Sequence, residues 1–319
     1  MSSSTATTTT TSETSTSSPH SDAPLPPADG AAARQRRSDE QRQLRTRITR
    51  GVVYVLLTVG ALIALAPFAW LVRSSLMSTE QMFSFPPQWW PSPFTWSNFP
   101  GALESQPLML YLLNTLLLEV IVVPGVLLST SLAAFALARL RWPGRKYVFG
   151  ILMSSLLLPG AATLIPTFVM WQELGALNTY FPLTIPAVLG AGGAFNIFLL
   201  RQFFLTIPND LDDAAYLDGA SPMYVYARIV LPLAKPALIL VGVFTFMATW
   251  NDLFNPLIYI SDSSKFTLAL GLASFQSLYS TEWGYLMAAS LMVVLPVIAV
   301  FFFAQKQILE GVVLSGMKG

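Results

Sequence analysis

Residues 110–137 read LYLLNTLLLEVIVVPGVLLSTSLAAFAL, with Glu119 as the sole charged side chain. Wound as an α-helix at ~1.5 Å per residue, this stretch reaches about 42 Å, more than the ~30 Å of hydrocarbon in a bilayer. Five more apolar runs stand at residues 52–72, 147–170, 183–204, 237–260 and 285–304. A water-soluble fold would have to hide all six as core helices with almost no amphipathic faces between them. The sequence therefore predicts an all-α integral membrane protein with six transmembrane helices.

Composition agrees. Hydrophobic residues make up 53% of the 319 and charged residues 11%, and the mean hydropathy is +0.56, which excludes an ordinary soluble enzyme domain. The formal net charge of +1 offers no basic field for nucleic acid. With no cysteine and a single histidine, His20, there is no thiolate nucleophile, no sulfur-ligated metal and no histidine-based catalysis. No catalytic or metal-binding residue is expected.

Sixteen of the eighteen lysines and arginines fall on one side of the six runs, leaving Arg73 and Lys265 on the other. Because basic residues are retained in the cytoplasm, both termini are expected inside a multi-pass protein of the cell membrane. Residues 1–44 begin with 15 Ser or Thr among the first 20. Lacking any apolar period, they read as a disordered cytoplasmic tail ahead of a six-span domain at 45–319. Prolines in every run (Pro67, Pro124, Pro159 with Pro166, Pro186, Pro256 and Pro296) predict kinked helices.

The loop from Thr206 to Pro232, TIPNDLDDAAYLDGASPMYVYARIVLP, has a structure of its own. Asp210, Asp212 and Asp213 crowd the first turn after Pro208, where carboxylates favour the positive end of a helix dipole. The helix should run to about Asp218 and end at Gly219 in the left-handed region. Ser221 and Pro222 then cap and start a second short helix toward Val230. Ala214 and Ala215 beside Tyr216 and Leu217 form a slim, partly apolar surface suited to a partner's groove. The other reading, a helix lying on the membrane, wants a basic polar face where this one is acidic.

At these residues the chain resembles the permease subunits of binding-protein-dependent ABC importers. Their signature is Glu-Ala-Ala, three residues, Gly, nine residues, Ile-x-Leu-Pro; here it stands as Asp213-Ala214-Ala215, Gly219 and Ile229-Val-Leu231-Pro232, with Asp for Glu. The stretch Trp250-Asn-Asp-Leu-Phe-Asn-Pro256, and a second from Trp283 to the terminal Ser315-Gly-Met-Lys-Gly319, narrow the resemblance to the carbohydrate-uptake branch and its MalG-type subunits. The resemblance covers roughly residues 50–319. It implies a type I importer half-channel, with 206–232 as the coupling loop and Asp213, Ala214, Ala215, Asp218, Gly219, Ile229, Leu231 and Pro232 at the ATPase contact. It also implies a homologous second permease subunit, an ATPase dimer and an extracytoplasmic solute-binding protein as partners.

No Gly-Lys pair occurs anywhere, so the chain lacks the P-loop that cradles phosphates. ATP and Mg are expected on the ATPase, with no cofactor on this chain. Among polar residues in the runs, Asn114, Glu119, Asn196, Asn251 and Asp252 are functional candidates, since polar groups at that depth are costly. Trp250, Asn251, Asp252 and Asn255 could line a polyol pathway, with a ring to stack on sugar C–H faces and acceptors for hydroxyl pairs; alternatively, Asn251 and Asp252 bond neighbouring helices. An ion-coupled secondary transporter is the competing class, but it would show repeated halves and leave the loop unexplained. An intramembrane protease would need a histidine or two facing aspartates that the runs do not supply.

Overall fold

In a computed structural model, residues 28–189, 193–276 and 281–316 are described. The helices are α1 (Ala28–Ser75), α2 (Thr79–Met82), α3 (Asn98–Ser105), α4 (Leu108–Ala138), α5 (Arg145–Ser155), α6 (Gly160–Glu173), α7 (Phe181–Val188), α8 (Ala194–Thr206), α9 (Asp210–Leu217), α10 (Pro222–Val225), α11 (Leu231–Leu233), α12 (Lys235–Trp250), α13 (Phe254–Tyr259), α14 (Leu268–Ala273) and α15 (Trp283–Gly316). Among the described residues the β pairing is one isolated bridge, Gln276 to Thr281.

The chain forms two units that meet at Ala66 and Pro67. In the first, α1 presents exposed side chains all round from Arg45 to Ala66, and a helix apolar on every face belongs in hydrocarbon. Of the expected tail, residues 1–27 lie outside the described residues. Residues 28–44 are helical and open α1, their Ala, Arg, Gln and Glu being strong helix formers in the absence of Pro or Gly after Gly30.

The second unit is organised by α4, which packs on α7, α8, α12 and α14, while α15 packs on α12 and α3. One apolar cluster joins Val122, Val126 and Phe135 of α4 to Leu200 and Phe204 of α8, to Val225, Tyr226 and Val230, and to Val241 of α12. A second joins Tyr111, Trp250, Leu268, Phe275 and Leu286. Polar groups in α4 tie it sideways. Thr115 Oγ1 accepts the Leu268 N–H at 2.9 Å, and Asn114 Nδ2 donates to Ser264 O at 2.9 Å and Phe266 O at 3.0 Å. These pin the segment that enters α14 and account for Asn114 as a helix-to-loop tie.

Three helices are long and apolar enough to span alone: Arg45–Ser75, Leu108–Ala138 and Trp283–Lys306. They contain the expected first, second and sixth runs. The third, fourth and fifth runs depart from single continuous helices. Residues 147–170 break into α5 and α6 with a bend of 98°, because Pro159 has no N–H to give and holds its neighbour out of the helical region. Residues 183–204 comprise α7 and α8. Residues 237–260 stop at Trp250 and restart at Phe254. There Asp252 Oδ1 accepts the Asn255 N–H at 3.1 Å, capping α13 as an N-terminal acceptor does. Pro256, in the first turn of α13, lacks a donor the helix would have left unused. Counting each bent pair as one span gives up to five.

Gly271 of α14 carries a close approach: a Cβ there would lie 2.2 Å from Cδ2 of the buried Tyr111. Gly271→Ala should push Tyr111 aside and cost about 1–3 kcal/mol, read as a lower melting temperature in detergent. Gly150→Ala in α5, where an added Cβ meets nothing within 4 Å, should hold stability or raise it by up to ~1 kcal/mol.

Candidate functional site

α4 ends at Ala138 with Arg139 as its C-terminal cap, and side chains close on carbonyls on both sides of this end. Trp142 Nε1 donates to Ala136 O at 3.0 Å, Arg201 Nε to Leu137 O at 3.2 Å, and Arg145 to Leu140 O at 2.9 Å. Cationic donors at a helix C-terminus satisfy both the bare carbonyls and the negative end of the dipole. Arg139 itself points across to the next segments. Its guanidinium donates to Ile207 O at 2.8 Å and to Asn209 Oδ1, and it pairs with Asp212 at 3.3 Å.

Both partners of this ion pair are buried, with side-chain exposures of 2% and 8%. Burial is the larger influence on Asp212 and pushes its carboxyl above the ordinary value; Arg139 pulls it down and Asp213 pushes it up. Arg139 Nε and Asp212 Oδ1 have no hydrogen-bond partner. The pair thus only partly offsets its own desolvation, as buried ion pairs commonly do. It fixes the first turn of α9 to the end of α4.

α9 runs from Asp210 to Leu217 as expected, and Gly219 follows at φ +80°. Ser221 caps α10 by accepting the Tyr224 N–H at 3.3 Å, with Pro222 at the first helical position. The helix then widens into a π-helical turn, Tyr226–Val230, where the Leu231 N–H reaches Tyr226 O. This half of the loop is anchored in the core. Tyr226 Oη meets Ser131 Oγ at 2.7 Å, its ring lies 5.2 Å from that of Phe135, and Val225 and Val230 are fully buried.

The signature residues therefore divide. Asp213, Ala214, Asp218 and Gly219 are exposed, while Ile229 and Leu231 pack against the core and Pro232 lies at the surface. Leu217, 89% exposed, and the exposed Met223 and Tyr224 stand beside the first group. A hollow of about 730 Å³ opens between the two short helices, lined by Leu211, Ala215, Gly219, Tyr224 and Ile229 among others.

The second candidate set separates. Trp250 is buried, stacked on Phe246 at 5.2 Å within the core, so its ring is unavailable to a solute. Asn251 donates back to Met247 O at 2.8 Å. Asp252 and Asn255 are joined, Asn255 Nδ2 donating to Asp252 Oδ2 at 2.9 Å, and both line a cavity of about 720 Å³. Its aromatic surface comes from Trp171 and Tyr259, whose hydroxyl lies 3.2 Å from Thr167 Oγ1.

Residues 125–310 match the model of the family described as binding-protein-dependent transport system inner membrane component. The chain belongs to this family. The probable ABC transporter permease YurM of Bacillus subtilis is 31% identical over 261 residues, 81% of this chain and 85% of that one. The diacetylchitobiose uptake system permease DasC of Streptomyces coelicolor is 29% identical over 280 residues, 88% of this chain and all of that one. Among solved structures, a bacterial ABC transporter involved in import of the acidic polysaccharide alginate superposes with a TM-score of 0.70 at 26% identity, covering 82% of this chain and 96% of that one. This is an ABC importer permease, a membrane transport component rather than an enzyme.

Reading the permease from its sequence found the loop but missed its fastening. Arg139 looked like one of many basic residues on the inner side, and Asp212 like one of three acidic residues in a helical turn. Helical spacing does carry a signal for Asp212: with Asp213 turned outward, its neighbour some 100° round the helix faces the core. Trp171 and Tyr259 gave no signal, since they come from segments that meet only in three dimensions.

Arg139→Ala would strand the Asp212 carboxylate, a loss of about 3–5 kcal/mol for a broken buried pair. Amide hydrogen exchange over 210–219 should accelerate accordingly. Replacing both partners, Arg139→Met with Asp212→Leu, should restore most of the protection; unaltered exchange in the single variant would remove the pair's anchoring role.

Proposed function

We propose that this permease forms half of the channel of an ATP-driven sugar importer. It would pair with a homologous but different permease subunit, dock an ATPase dimer inside and receive solute from an extracytoplasmic binding protein. The carrying observation is the loop 206–232, rigidly fastened to α4 and the core by Arg139, Asp212 and Tyr226, yet turning Leu217, Met223, Tyr224 and Asp213 outward. An exposed apolar helix end with a firm base is a surface for transmitting force to a partner.

In this reading both termini are cytoplasmic, the two bent pairs together with the shorter apolar helix α8 complete the six passes, and Asp213, Ala214, Ala215, Asp218 and Gly219 sit in the ATPase cleft. Ile229 and Leu231 fix the loop to the core, with Pro232 beside them at the surface. The ATPase binds ATP and Mg. Its closure drives the two coupling loops together and turns the pathway outward, which is alternating access by rigid-body motion. Asp252 and Asn255, in a cavity also lined by Trp171 and Tyr259, offer hydrogen-bond partners for the hydroxyls of an oligosaccharide or similar polyol. The uptake systems of the relatives support that solute class.

Gly219→Val tests the coupling. Within this chain a Cβ at Gly219 meets nothing within 4 Å, so here the variant strains the left-handed backbone, by about 1–2 kcal/mol. Expected are an intact assembly and an uptake rate reduced at least tenfold relative to ATP hydrolysed; unchanged uptake per ATP would refute the coupling role. For the pathway, Asp252→Ala should raise the half-saturating solute concentration in proteoliposomes with the ATPase still bound. Wild-type uptake kinetics for every sugar that the binding protein delivers would take Asp252 out of the pathway.

A further inference from the structure

Residues 81–103 contain no ionisable side chain, while Glu80 and Glu104 flank them. Within this segment Phe83, Phe85, Trp89, Trp90, Phe94 and Trp96 are all exposed, Phe85 at 96%, Trp89 at 76% and Trp90 at 72%. Three of the rings continue into a contiguous ladder with Phe99: Trp90 to Phe94 at 6.0 Å, Phe94 to Trp96 at 6.4 Å, and Trp96 to Phe99 at 6.3 Å. So much uncharged aromatic surface on one loop marks an interaction site.

The loop is held at a defined height. Arg73, in the last turn of α1, donates from Nε to Trp89 O at 3.1 Å and from a terminal nitrogen to Gln88 O. Its guanidinium lies 4.4 Å over Trp70, and Trp89 meets Trp70 edge-on at 6.5 Å. The rings are thereby set level with the end of the apolar part of α1, where hydrocarbon gives way to water.

Two features choose among occupants. The backbone here is irregular and interrupted by Pro86, Pro87, Pro91 and Pro93, and a segment without the continuous hydrogen bonding of a helix is unsuited to the hydrocarbon interior. A soluble partner that comes and goes would leave the whole patch facing water between encounters, a costly state for so many rings. Trp and Phe rings beside polar backbone, at the end of a span, fit the headgroup region, which is apolar on one side and wet on the other.

We propose that loop 83–99 lies in the lipid headgroup and upper acyl region at the outer end of α1 and anchors this end of the subunit to the bilayer surface. The word outer rests on the topology given above; lipid contact as such does not.

The chain has no cysteine, so a single nitroxide can be placed in an otherwise native subunit, assembled with cysteine-free partners in liposomes. Ser92→Cys and Ser97→Cys label the exposed loop with every ring kept, and Phe85→Cys labels a ring position. Collision rates with oxygen, which partitions into lipid, and with a water-soluble nickel chelate report the environment. The expected result is oxygen exceeding nickel at all three positions, a shallow depth, and no change when loaded binding protein is added. In Trp89→Ser/Trp90→Ser/Trp96→Ser the ratio at Ser92→Cys should reverse. Nickel exceeding oxygen in the native loop would overturn the proposal. So would exclusion of both reagents, the mark of a covering protein chain, or protection on adding the binding protein. Uptake measured on the same liposomes separates the two readings, since lipid contact without sugar transport would count against the importer and leave the anchor standing.

Discussion

A helix that stops at a boundary leaves its last four carbonyls without partners, and the way α4 resolves this orders much of the second unit. Trp142 and Arg145 close on it from the following turn, Arg201 reaches it from α8, and Arg139 spends its guanidinium on Ile207, Asn209 and Asp212 instead. One helix end thus gathers the start of α5, the end of α8 and the base of α9. Arg201 also lies 4.2 Å over the Phe149 ring, so the same cation that caps α4 holds α5 in place.

That arrangement explains how a surface loop can be both exposed and stiff. Each short helix of the loop has one buried attachment, Asp212 for α9 and the segment Val225, Tyr226 and Val230 for the continuation of α10. The hollow between them is left open. A force applied at Leu217 meets an ion pair, a hydroxyl pair and packed aliphatic side chains, none of which yields without exposing something costly. The stiffness of the loop is therefore mechanical at its root, carried by the Arg139–Asp212 pair, the Tyr226–Ser131 contact and the packing around them.

What the sequence discloses depends on how local the physics is. Long apolar runs declare α1, α4 and α15 because length and hydropathy alone decide them. The loop's caps at Gly219 and Ser221 were readable because a left-handed glycine and a serine before proline act within three residues. The breaks at Leu156–Pro159 and at Asn251–Leu253 were only half readable. Proline announced a disturbance, but whether it kinks a helix or ends it depends on what receives the freed groups, and at Asp252 the receiver is a side chain of the chain's own making. Trp250 misled for a related reason: its position beside two polar residues suggested a site, whereas the helical turn places its ring on the opposite, packed face against Phe246. The aromatic residues that do line the cavity, Trp171 and Tyr259, lie 88 positions apart and are joined by tertiary packing that no local pattern encodes.

The π-helical turn at Tyr226–Val230 holds one more residue than an α-turn would over the same hydrogen bond. It sits between two fixed points, the Ser221 cap and the core-facing Tyr226 on one side, and the 79° bend into α12 on the other. Deleting or adding a single residue there would rotate everything before it by about 100° about the helix axis. Tyr226 would leave Ser131, and the exposed end of α9 would swing away from its bearing. Chain length in this segment is consequently a conserved quantity in the mechanical sense.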